Sequence, residues 1–138
     1  MNIYFAALVR GGREDSLLYA DIIKLLGSYG MVATEHLGKK SLSEEGEQEM
    51  LDQEIYERDM SWLSQADVVV AEVSTPSLGV GYEIARAETM EKPVLCIYRL
   101  GAGKRVSAML AGNANIEVQA YENLEDLTEV LENFLREG

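Results

Sequence analysis

Cysteine, histidine and basic residues are all scarce in this chain, and each shortage removes a class of function. Cys96 is the single cysteine among 138 residues, so no internal disulfide can form. Its place inside the apolar run "PVLCIY" makes it a small packed hydrophobe. With one histidine and one cysteine there is no ligand cluster for a transition metal, and no metal site is expected. Twelve Lys and Arg face 24 Asp and Glu, a net charge of −12. A surface this acidic repels a polynucleotide backbone, so no nucleic-acid polymer is expected as a partner. A small anion stays open, because local cations and helix N-termini oppose the overall field. No apolar run approaches the ~20 residues that span a bilayer, so no membrane partner is expected either. The start "MNIYFAALVRGG" has no basic n-region and no cleavage site, so it reads as a first strand and not as a signal peptide. A cytoplasmic protein is the expectation.

What is present alternates. Apolar, β-rich runs stand at 2–9, 31–37, 67–73, 93–100 and 116–121, with helical patterns over roughly 14–28, 46–65, 81–91, 104–111 and 122–136. The runs "DVVVAEV" and "PVLCIY" are nearly continuous apolar, as parallel strands covered on both faces are. Strand then helix, repeated, predicts right-handed βαβ units. We expect one domain over 1–138, a three-layer α/β fold of flavodoxin-like type with a five-stranded parallel sheet in the order 2-1-3-4-5. Ligands in such folds bind beyond the carboxyl ends of the strands. The segments there are "VRGGRED", "TEHLG", "STPSLGVGYE" and "RLGAGKR".

Several residues in those segments point to chemistry. Gly11 and Gly12 let a ligand approach the backbone, and Arg10 and Arg13 beside them suit an anion. A tight turn with solvated arginines explains the same residues. Gly79 and Gly81 allow close approach, Ser77 adds a hydroxyl, and a helix beginning near Gly81 would aim free N–H groups at the same place. Glu83 then falls in the first turn, where an acid also serves the helix dipole. Asp59 sits on the stripe of Leu51, Ile55, Trp62 and Leu63, facing inward. An inward acid is paired, hydrogen-bonded or functional, and Arg58 is the available partner. Two carboxylates in unlike environments are what glycosyl chemistry requires.

The stretches "IYFAALVRGGRED", "TEH", "RDMSWLSQADVVVAEVSTPSLGVGYEIARA" and "KRVSAML" resemble the 2′-deoxynucleoside 5′-phosphate N-hydrolases, relatives of the nucleoside 2-deoxyribosyltransferases. The resemblance covers nearly the whole chain and is densest from 55 to 99. It implies that Glu83 is the nucleophile on the sugar C1′, that Asp59 protonates the leaving base and that Tyr4 positions the nucleophile. It implies a phosphate cradle of Arg10, Gly11, Ser77, Gly79 and Ser107, the serine reaching across a homodimer interface. His36, within the matching "TEH", is a further substrate-binding candidate, although by pattern alone a lone histidine reads as structural. No organic cofactor is implied. The expected reaction is hydrolysis of a 2′-deoxynucleoside 5′-monophosphate to free base and deoxyribose 5-phosphate. The rivals are a deoxyribosyltransferase and a non-catalytic nucleotide-binding module.

The family usually reads Gly-Ser-Ile-Arg-Gly-Gly-Arg after its first strand, whereas this chain has Ala7, Leu8 and Val9 before Arg10. Leu8 offers no donor where the family has a serine hydroxyl. A charge-assisted contact contributes about 1.5–3 kcal/mol, more than one neutral hydroxyl does, so the remaining cradle should keep its preference for phosphate. We predict a higher kcat/KM for a deoxynucleoside monophosphate than for its nucleoside. Arg10→Ala should narrow that gap and Leu8→Ser should widen it. A wild-type preference for the bare nucleoside would favour the transferase.

Overall fold

The computed structural model describes residues 1–8, 13–36, 50–103 and 105–137. Five strands, β1 (Asn2–Ala6), β2 (Met31–Ala33), β3 (Val68–Glu72), β4 (Val94–Arg99) and β5 (Glu117–Tyr121), form one sheet in the order β2-β1-β3-β4-β5. Every pairing is parallel, with Tyr4 level with Ala33 on one side and Val69 on the other. The expected fold and strand order therefore hold. Five helices are described: α1 (Arg13–Gly27), α2 (Asp52–Gln65), α3 (Leu78–Thr89), α4 (Ala108–Ala111) and α5 (Leu124–Glu137).

Alternation along the strands divides the core in two. Ile3, Phe5, Val68, Val70, Leu95 and Ile97 pack against α1 and α5 through Tyr19, Ile22, Leu26, Leu127 and Leu131. Tyr4, Ala6, Val69, Ala71, Val94 and Cys96 pack against α2 and α3 through Leu63, Val80, Ile84 and Ala87. Burial on both faces is why β3 reads as an unbroken apolar run with all five residues buried.

Several boundaries differ from the sequence pattern. β1 ends at Ala6 and β2 at Ala33, short of the expected 9 and 37. The pattern at 46–65 gives a helix only from Asp52; residues 46–49 lie outside those described. Glu54 accepts the Leu51 N–H at 2.9 Å and fixes that start, which leaves Leu51 itself exposed and off the inward stripe. α4 is a single turn. The most consequential shift is α3, which begins at Leu78 and not near Gly81. Ser77 is its N-cap, accepting the Val80 N–H at 3.3 Å, and the Gly81 N–H is already satisfied by the Ser77 carbonyl at 3.0 Å. Glu83 is thus in the second turn, beyond where the dipole explains an acid.

A buried carboxylate knits the carboxyl ends of the strands together. Glu72 accepts from the Ser74 N–H and hydroxyl, both at 2.8 Å, and from the Tyr121 hydroxyl. The Ser74 hydroxyl in turn accepts the Arg99 N–H at 2.8 Å, and the Arg99 guanidinium pairs with Asp15 in α1 at 3.1 Å. β3, β4, β5 and the start of α1 are therefore one hydrogen-bonded unit at the end of the sheet where the site lies.

Candidate active site

The inward face of α2 carries Asp59 one turn before Leu63, and both are buried. The outward face of β1 towards α2 carries Tyr4, also buried. The second turn of α3 carries Glu83 across from them. Glu35 follows β2 and points to the same space. One carboxylate oxygen from each of Glu35, Asp59 and Glu83 lies within 4.8 Å of those of the other two. Together with Ala7, Ser77 and Gly79 they line a cleft of about 190 Å³ whose mouth carries Tyr56 and Tyr82.

Three acids this close in a half-buried cleft cannot all ionise freely. Burial pushes Glu83 up to about 7, opposed by the hydrogen bond from Tyr4 and reinforced by the charge of Asp59. Burial likewise pushes Glu35 up to about 8; its hydrogen bond with Asp59, and then the charges of Asp59 and Glu83, add to the rise, while Arg58 opposes it. Burial and the neighbouring Glu83 carboxylate hold the Tyr4 hydroxyl well above the ordinary tyrosine range. Tyr4 is thus a fixed donor, and its O–H is bonded to Glu83 Oε2. The pair expected between Asp59 and Arg58 is present, with Arg58 Nε donating to Asp59 Oδ1 at 3.1 Å.

Chemically, the cleft presents one carboxylate oriented by a phenol and a second carboxylate that shares a hydrogen bond with a third. Near neutral pH one side can be ionised while the other holds a proton. That division serves a nucleophile and an acid.

Of the residues picked from the sequence, Tyr4, Asp59, Glu83, Ser77 and Gly79 are brought together. Ser77 has two tasks, since its hydroxyl caps α3 and its side chain borders the cleft. His36 is turned to the other face of the sheet. Its ring lies 5.0 Å from that of Tyr19, and Nε2 is 3.2 Å from the Ala7 carbonyl oxygen. Ser107 caps α4, its hydroxyl accepting the Met109 N–H at 3.2 Å. It lines an adjoining groove of about 830 Å³ that runs between α3 and α4 and also touches Ser77, Val80 and Tyr82. Arg10 and Gly11 lie outside the described residues. Glu35 was missed. Its signal is the placement of "TEH" at a strand end, where the glutamate and not the histidine faces the cleft.

Residues 3–122 match the sequence pattern of the family described as Nucleoside 2-deoxyribosyltransferase. The chain is 46% identical over 137 residues to a 5-hydroxymethyl-dUMP N-hydrolase of Danio rerio, covering 97% of this chain and 95% of that one. It is 47% identical over 132 residues to the Mus musculus protein of that name, covering 94% and 76%. Among solved structures, the CMP N-glycosidase of Clostridium botulinum superposes with a TM-score of 0.70 over 97% of this chain and all of that one, at 16% identity, a likeness of fold.

The raised Glu83 makes a stability prediction. Its folded value exceeds the 4.5 of an ordinary glutamate, so the native state holds this proton more tightly than the unfolded chain does. Stability is therefore lost as pH rises from about 4.5 to about 7. Glu83→Gln removes the cost of ionising a buried acid, on the order of 1–3 kcal/mol at pH 8. The variant's melting temperature should exceed that of the wild type at pH 8, with the gain disappearing towards pH 5. A gain independent of pH would show that Glu83 is not held in an ionisation-averse setting.

Proposed function

The chain belongs to the nucleoside 2-deoxyribosyltransferase family, and from that premise we propose that it is an N-glycosidase acting on 2′-deoxynucleoside 5′-monophosphates. It cleaves the bond between base and sugar with water, giving free base and 2-deoxyribose 5-phosphate. The similarity to 5-hydroxymethyl-dUMP N-hydrolases over nearly the full length carries the reaction type, and makes 5-hydroxymethyl-dUMP the first substrate to try. The observation that carries the mechanism is the convergence of three carboxylates with Tyr4 bonded to one of them.

In this reading the Glu83 carboxylate attacks C1′. The C1′–N bond breaks through an oxocarbenium-like state, and the electron pair leaves with the base. Asp59, hydrogen-bonded to Glu35, delivers a proton to that base. Water then hydrolyses the glycosyl ester and frees Glu83. Closely spaced carboxylates suit this double displacement, whereas inverting enzymes need room for a water between them. One oxygen of each acid lies within 4.8 Å of one from each of the others, a spacing that favours the covalent route. Tyr4 keeps the Glu83 oxygen aimed and favours its ionised form. Ser77 and Gly79 offer a hydroxyl and an uncrowded backbone at the start of α3, a favourable place for the phosphate.

The reading extends to a homodimer in which Ser107 serves the partner's cleft. Leu78 is 97% and Met109 81% exposed, and both line the groove beside the cleft. Apolar exposure on this scale, bordering the site through Ser77 and Tyr82, is what a second copy would cover.

The decisive experiment incubates purified protein with 5-hydroxymethyl-dUMP and other monophosphates, with and without an added acceptor base. Free base and deoxyribose 5-phosphate should appear in both. A new nucleotide formed only with acceptor would make the protein a transferase. Glu83→Gln should lose at least tenfold in rate, ~1.4 kcal/mol in barrier, while still binding nucleotide. Asp59→Asn should lose activity severely with stability unchanged or raised. For the dimer, mixing inactive Glu83→Gln with Ser107→Ala, whose KM should be raised, should restore the wild-type KM through one intact composite site. No restoration from two folded, exchanging variants would place Ser107 outside the site.

A further inference from the structure

Among the described residues, Arg58 is the cation that touches the acid cluster, and several contacts constrain its placement. Nε donates to Asp59 Oδ1 at 3.1 Å, and Nη2 stands 3.9 Å from Glu35 Oε1. The guanidinium carbon lies 4.6 Å from the centre of the Trp62 ring, one turn along the same helix, and Nη1 is 3.3 Å from Met50 Sδ. A planar guanidinium stacked on an indole cannot swing freely, so its fork is aimed at the two carboxylates. The two contacts are unequal. Asp59 takes the short hydrogen bond, and Glu35 takes only the longer ion pair.

That inequality has a consequence for the proton shared between Glu35 and Asp59. An opposite charge at hydrogen-bonding distance favours the ionised form of the group it touches most closely. Arg58 therefore stabilises the Asp59 carboxylate more than that of Glu35. Among the described residues, the other ionisable groups around the pair are Glu83 from α3 and Tyr4 from β1. Tyr4 is committed to Glu83, and the Glu83 charge disfavours ionisation of Glu35. We propose that Arg58 is the positioning residue of the acid pair: its short hydrogen bond to Asp59 leaves the shared proton on Glu35, which hands it to Asp59 for delivery to the leaving base. In the step, the Glu35 O–H bond breaks as the Asp59 O–H bond forms, and the Asp59 proton passes to the base nitrogen. Water consumed in the second half-reaction returns the proton to Glu35.

This inference rests on the N-glycosidase reading for its catalytic meaning, but the location of the proton can be tested without turnover. Infrared difference spectra of ligand-free protein, carrying carbon-13 in glutamate or in aspartate carboxyls, report which side chain holds a protonated carboxyl at neutral pH. Both labels are used in a Glu83→Gln background, so that Glu83 adds no signal. A protonated band that shifts with labelled glutamate, and vanishes as pH rises at a value below the about 8 that holds with the Glu83 charge present, is the expected result. A band that shifts with labelled aspartate would overturn the proposal, whatever the activity. In the same background Arg58→Gln should move that transition upward by about one to three pH units. Arg58→Lys should restore part of the shift. With Glu83 intact, the alkaline limb of the kcat profile should move upward with the spectral transition, while KM changes little. If Arg58→Gln only lowers the melting temperature and leaves the transition in place, Arg58 is a packing residue on Trp62. Should Arg58→Gln fail to fold, the labelled protein with Arg58 intact still decides where the proton sits.

Discussion

Three carboxylates with oxygens within 4.8 Å of one another, in a cleft that shields them from water, set the terms for everything around them. Like charges at that distance, with little solvent between them, must be neutralised by protons or offset by cations. Each neighbour meets part of that requirement. Tyr4 donates to Glu83, Arg58 donates to Asp59, and burial beside the other two acids raises Glu35 towards its protonated form. Remove the acids and neither the buried phenol nor the stacked guanidinium has a polar reason to be where it is.

The fold supplies the convergence. Tyr4 comes from a central strand, Glu35 from just beyond an edge strand, and Asp59 and Glu83 from two helices on one face of the sheet. Their relative positions depend on the sheet ends being fixed. The Glu72 network fixes them, joining the ends of β3, β4 and β5 to α1 on the opposite face. Two buried acid clusters thus flank the sheet with opposite tasks. Glu72 is saturated by three donors and holds the scaffold still, whereas Glu35 is satisfied through a proton that can move.

Much of this was legible in the sequence, and what was not has physical causes. The parallel sheet followed from unbroken apolar runs, because a strand buried on both faces leaves no other pattern, and the strand order was the one expected of a flavodoxin-like fold. Asp59 was legible because an acid between Ile55 and Leu63 contradicts the stripe it lies on. Glu83 was found for partly the wrong reason: the helix starts at Leu78, since Ser77 is a better cap than the glycines that drew the eye. Glu35 was not legible. After a strand of only three residues no periodicity says which way a side chain turns, and Glu35 and His36 go to opposite faces of the sheet. Glu72 was hidden in the same way, as an ordinary acid at a strand end until Tyr121, nearly fifty residues on, is seen to bond to it.

The charge of the whole chain gives the proton on Glu35 a second use. A deoxynucleoside monophosphate is an anion approaching a surface with a net charge of −12. A cleft with three ionised acids would add to that repulsion at short range, where screening by salt is weakest. One proton on the Glu35–Asp59 pair and one guanidinium beside it cut the local charge from three negatives to about one, and leave that one on the side of Glu83. What remains is the charge that an electron-poor C1′ attracts. In the proposed reaction the acid that would make the base leave would therefore also let the anion approach.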